Sequence, residues 1–73
     1  MENIEKYIII DPNIRFGNPT IKGTRITVYD VLNWFSQGMS MEEVLSDFPE
    51  LTEEQIRACF AFAANREQKL VAI

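Results

Sequence analysis

At 73 residues the chain is long enough for one small domain, whose core gives little net stability unless a disulfide, a metal or another chain reinforces it. Cys59 is the single cysteine and there is no histidine, which excludes an internal disulfide and argues against a zinc site. The net charge of −4 is lopsided, +1 over residues 1–27 and −5 over residues 28–73, so only the first segment can offer phosphates a cationic face.

Company from a second copy or another protein is therefore the reinforcement to expect. The start Met1-Glu2-Asn3-Ile4-Glu5 lacks the basic-then-apolar layout of a secretion signal, and no apolar run approaches the length of a membrane span. A cytoplasmic location with no membrane partner follows. Enzyme chemistry has no inventory here: no histidine, no glycine-rich phosphate cradle, and carboxylates dispersed along helix faces. No cofactor is expected.

The chain reads as a single domain, with a β-and-turn segment over 1–27 and a three-helix core over 28–73. Tyr7-Ile8-Ile9-Ile10 predicts a strand, bounded by Asp11-Pro12, which cannot continue a regular ladder. Being apolar at every position, it wants cover on both faces, from the helices or, in the favoured reading, from pairing with a second copy. Tyr7, Ile8, Ile9, Ile10 and, further on, Phe62 are the expected dimer contacts. Gly17-Asn18 predicts a tight turn, after which Pro19 begins a short extended piece. Gly23 separates that piece from another at Thr24-Arg25-Ile26.

From Thr27 onward the period becomes helical. Thr27-Val28-Tyr29-Asp30, Ser40-Met41-Glu42-Glu43 and Thr52-Glu53-Glu54-Gln55 each set a hydroxyl three residues before an acid or amide. In such a capping box the hydroxyl accepts from the N3 amide and the N3 side chain reaches back to the N-cap amide. Asp30 has the shortest reach of the three closing side chains. An apolar pair brackets each box as a hydrophobic staple: Ile26 with Val31, Met39 with Val44, Leu51 with Ile56. Gly38 and Pro49 supply the stops. Helices are predicted over 28–37, 41–47 and 52–70. Their apolar faces are Val28, Val31, Leu32 and Phe35; Val44, Leu45 and Phe48; and Ile56, Cys59, Phe60 and Ala63, with Ala58 and Phe62 broadening the last. Short turns between three unequal helices suit a helix-turn-helix or homeodomain-like core, mostly α with a short N-terminal β-segment paired across a dimer.

The run Gly17-Asn18-Pro19-Thr20-Ile21-Lys22-Gly23-Thr24-Arg25-Ile26 resembles the G-x-P-x-I-x-G-T-R-I signature of the DUF433 family. Gly38-x-Ser40-x-Glu42-Glu43-Val44-Leu45 and Phe48-Pro49-x-Leu51-Thr52-x-Glu54-x-Ile56 are similar to that family's second half, so the resemblance runs from about Tyr7 to Ala64. It implies a homeodomain-like core with an N-terminal β-segment, and homodimers. It also implies a genomic pairing with a PIN-like (DUF5615) ribonuclease toxin that the small protein restrains.

Arg15, Lys22, Gly23, Thr24 and Arg25 are the candidate partner- or DNA-binding residues. Gly23 allows close backbone approach, and Arg25 presents a fork for phosphate or carboxylate. The competing and stronger reading is a tight turn, with Thr24 satisfying local amides and Arg25 paired to an acid of the helical half. The third helix stands where a recognition helix would, but it opens with Glu53-Glu54, repulsive toward phosphate, and Gln55 serves its capping box. Trp34 and Tyr29 read as core or interface aromatics, Cys59 as an inert small hydrophobe. The expected function is that of a type II antitoxin that neutralises a PIN-like ribonuclease, a role compatible with repression of its own operon. The rivals are a DNA-binding regulator inserting its N-terminal β-ribbon in a groove, and a stand-alone dimeric interaction domain.

Overall fold

The computed structural model describes residues 4–71, with side chains through Asn65. The protein is mostly helical, with one small antiparallel sheet. A helical turn α1 (Ile4–Tyr7) leads into β1 (Ile8–Ile9), then a 3-10 turn (Arg15–Gly17) and β2 (Thr20–Ile21). Three helices follow: α2 (Val28–Ser36), α3 (Met41–Asp47) and α4 (Glu53–Val71).

The helix starts are set by local hydrogen bonding. Thr27 Oγ1 accepts from the Asp30 amide at 2.9 Å, and Asp30 Oδ2 accepts from the Thr27 amide at 3.1 Å. Ser40 and Glu43 exchange the same bonds at 3.1 and 2.8 Å, as do Thr52 and Gln55 at 3.3 and 2.8 Å. Each box satisfies two amides that a helix start otherwise leaves open. The staples bury what they should: Val31, Val44, Leu51 and Ile56 are in the core, with Ile26 and Met39 packed against it. Gly38 ends α2 at φ +99°, a conformation that suits glycine best.

The sheet is built within the chain. Ile8 lies opposite Ile21 and Ile9 opposite Thr20, and the Lys22 amide donates to the Tyr7 carbonyl at 2.8 Å. The expected Tyr7–Ile10 strand is thus shorter than its composition suggests. Tyr7 closes α1, and Ile10 lies beyond β1, 58% exposed. Pairing stops there because β2 is itself only two residues, preceded by Pro19, which has no amide to donate, and followed by the Lys22-Gly23 turn. Nor do Thr24-Arg25-Ile26 form a strand: contact with β2 is limited to an isolated Thr20–Thr27 bridge and the Ile21 amide on the Ile26 carbonyl at 2.9 Å.

Ile8, Ile21, Val28, Val31, Val44, Leu51, Ile56, Ala58 and Cys59 form the core. α4 turns Ala58 inward, while Phe60, expected inside, is 37% exposed and meets Phe35 edge-on at 5.0 Å. The reason lies at the other end of the chain. α1 and β1 pack against α4, so its buried stripe is wider than a three-helix core alone requires. Of the expected dimer contacts, Ile8 is buried in this core and Tyr7 and Phe62 pack against it, with Ile9 half-buried beside Thr20. Trp34 stacks on Phe48 at 4.3 Å, tying α2 to the end of α3.

Substituting caps separates local from tertiary roles. Ser40 is exposed, and Ser40→Ala should cost about 1 kcal/mol, lowering Tm by roughly 4–8 °C. Thr27 is buried and also meets Thr20, so Thr27→Ala should cost about 2 kcal/mol. Thermal unfolding followed by circular dichroism checks the order, and equal losses would contradict it.

Candidate partner-binding surfaces

The segment between β1 and β2 folds back on itself through short-range bonds. The Asn13 amide donates to Asp11 Oδ1 at 2.9 Å and the Ile14 amide to the Asp11 carbonyl at 2.9 Å. The Gly17 and Asn18 amides donate to the Ile14 and Arg15 carbonyls, both at 3.1 Å. To close this turn the backbone takes left-handed values at three successive residues, φ +49° at Arg15, +59° at Phe16 and +80° at Gly17. Only the last is a glycine. For an L-residue with a side chain that conformation costs about 1 kcal/mol or more.

The Arg15 guanidinium holds the arrangement. Its Nη1 donates to the Arg25 carbonyl at 2.7 Å and to Asp30 Oδ2 at 3.4 Å. The second sequence-predicted loop is tied off from within: Thr24 Oγ1 donates to the Ile21 carbonyl at 2.9 Å and accepts from the Ile26 amide at 3.0 Å. Gly23 sits at φ +80° with open space where a Cβ would be, so backbone conformation rather than crowding calls for glycine. The tight-turn reading of Gly23-Thr24 therefore holds, with one difference. The guanidinium that pairs with the helical half belongs to Arg15; the Arg25 side chain has no acidic partner among the described residues, and Lys22 is exposed.

What the sequence reading missed is Phe16. It is 97% exposed, held outward by the left-handed turn. A signal was available: an aromatic between Asp11-Pro12-Asn13 and Gly17-Asn18-Pro19 belongs to no apolar period, so no core claims it. Ile10, in the same loop, is also exposed, and the turn carrying exposed Lys22 and Arg25 is tied to this loop by Arg15 Nη1 on the Arg25 carbonyl.

A second surface has the opposite character. Glu42, Glu43, Asp47, Glu50, Glu53 and Glu54 are all exposed around α3 and the start of α4. Glu43 closes the Ser40 box, and Glu53 receives Arg57 at 2.8 and 3.0 Å, a solvent-exposed pair that adds little stability. Met41, Leu45 and Phe48, half-buried, run through this acidic surface at helical spacing. Cys59 is inert by location: burial pushes its thiol from 9.0 to about 12. Among the described residues there is no group of side chains arranged to hold a metal ion, and no helix is long and apolar enough to cross a membrane.

Residues 8–63 match the model of a family described as "Protein of unknown function (DUF433)". A curated relative, "Uncharacterized protein y4eO" of Sinorhizobium fredii (strain NBRC 101917 / NGR234), is 40% identical over 58 residues, 80% of this chain and 26% of that protein. The chain thus spans about a quarter of the curated relative's length. A crystal structure of a DUF433 member from Anabaena variabilis ATCC 29413 superposes with a TM-score of 0.82 at 26% identity, covering 94% of this chain and 68% of that one.

Two outcomes test this geometry. Arg15→Ala should leave the global fold nearly as stable, since its ion pair is half-exposed, yet speed hydrogen exchange at the Gly17 and Asn18 amides. Unchanged exchange would mean that the turn holds without the guanidinium. The Cys59 thiol should resist a thiol reagent until the chain unfolds. Its folded pKa is raised, so its contribution is fully present below the unfolded value of 9.0 and is lost as pH rises toward about 12. Denaturant titrations across that window should show stability falling with pH, and less steeply in Cys59→Ala.

Proposed function

The chain belongs to the DUF433 family, and from that premise we propose that it is a non-enzymatic, cytoplasmic association module: the antitoxin of a PIN-like ribonuclease. Its α2, α3 and α4 serve in this reading as a helix-turn-helix-type core adapted to bind protein. One observation carries the proposal, the six exposed carboxylates gathered on α3 and the start of α4. A nuclease that grips RNA exposes a cationic cleft, and an acidic face can occupy it, gaining association rate and selectivity.

The same face repels phosphate, and in the helix-turn-helix reading the start of α4 is the part that would enter a groove. Exposed Lys22 and Arg25 support the second reading, DNA contact through the loops, either alone or as autorepression by the antitoxin. Because Arg15 is engaged internally, that reading has fewer outward cations than the sequence suggested.

Co-expression with the product of the adjacent reading frame tests the proposal. The two chains should co-elute on size exclusion and growth should recover. Glu42→Lys with Glu54→Lys should weaken the complex at least about tenfold, the scale of losing close charge pairs. Neither complex nor rescue would refute it. A gel shift with upstream DNA separates the rival: a steep salt slope that Lys22→Ala and Arg25→Ala flatten would establish phosphate contacts.

A further inference from the structure

We propose that the Phe16 loop is a docking knob whose partner is the acidic α3 surface of a second copy of this chain. The proposal rests on the association-module reading, though not on the identity of any toxin.

The knob is pre-formed. Three left-handed residues, the Asp11 and Ile14 turn bonds and the Arg15 bridge to Arg25 and Asp30 order it before any partner arrives. Binding through it therefore loses little conformational entropy. Its apolar tip is Phe16, 97% exposed, with Ile10 at 58%. Its charge comes from exposed Lys22 and Arg25 on the adjoining turn, which Arg15 Nη1 ties to the loop through the Arg25 carbonyl.

That charge selects the occupant. Loop against loop would set the cations of one copy against those of the other. The α3 surface offers the complement: half-buried Met41, Leu45 and Phe48, the last stacked on Trp34, bordered by exposed Glu42, Asp47 and Glu50. An aromatic anchor seated on an apolar patch, with opposite charges at the rim, is the usual anatomy of a binding hot spot. The contact joins two different surfaces, so it closes only if a two-fold pair makes it twice or a ring forms. It also covers the face assigned to the nuclease, so self-association and a cationic partner exclude each other.

Sedimentation velocity of the full chain over a range of concentrations and salt is the test. The wild type should self-associate, more weakly as salt rises. Phe16→Gly removes the anchor while relieving the left-handed strain, so association should weaken by about 30-fold or more while the dilute monomer keeps or gains thermal stability. Lys22→Glu with Arg25→Glu, and Asp47→Lys with Glu50→Lys, should each abolish self-association, and an equal mixture of the two variants should restore it. A wild type that stays monomeric, a Phe16→Gly chain that assembles as before, or a mixture that fails to assemble would each overturn the proposal. None of these readouts involves the nuclease, so they separate from the outcome of the co-expression test.

Discussion

The Asp30 carboxylate accepts from both halves of the molecule. Its Oδ2 accepts both the Thr27 amide that opens α2 and the Arg15 guanidinium that closes the β1–β2 loop. The position favours negative charge twice over, from the helix start and from the guanidinium. Arg15 then reaches on to the Arg25 carbonyl, so one side chain links the loop, the Lys22–Arg25 turn and the helix. The Val28 amide donates to the Pro19 carbonyl at 2.9 Å and completes the junction from the backbone side.

Packing of the N-terminal segment on the helices is what enlarges the core of this small domain. α2, α3 and α4 alone leave part of α4 uncovered. The N-terminal segment, anchored at Thr20–Thr27 and at Asp30, lays α1 and β1 against it. Ile8 and Ile21 thereby become core residues, and each fully buried aliphatic side chain is worth about 1.5–3 kcal/mol relative to exposure.

The helical half was legible because its signals are local. A hydroxyl, an acid or amide three residues on, and an apolar pair around them settle each start by contacts within one turn, and all three boxes formed as spaced. The N-terminal third was harder because its outcome depends on partners remote in sequence. The β-branched Tyr7–Ile10 run has strand propensity throughout, yet only Ile8 and Ile9 find a partner of matching length. Tyr7 follows the i, i+3 spacing with Ile4 instead, and both pack against the core as a helical turn. Turn chemistry located the Gly23-Thr24 turn, but it could not say which arginine would face inward. That depends on the left-handed bend at Arg15, which no propensity of arginine or phenylalanine favours.

That bend gives the loop its meaning. Conformational strain at consecutive non-glycine residues persists only where surrounding bonds over-determine it, and here they do. Packing gains nothing from it, because the bend carries Phe16 away from the core to almost complete exposure. A glycine at this position would close the same turn without the strain and without the exposed ring. An aromatic side chain with roughly 150–250 Å² to bury, fixed outward by a strained turn, is costly to a protein on its own and useful against another surface. The acidic helices then define what that surface must be like, because they leave the molecule with one face of each sign. A body so divided meets its complement in another copy of itself, and in any cationic partner able to compete for the same carboxylates.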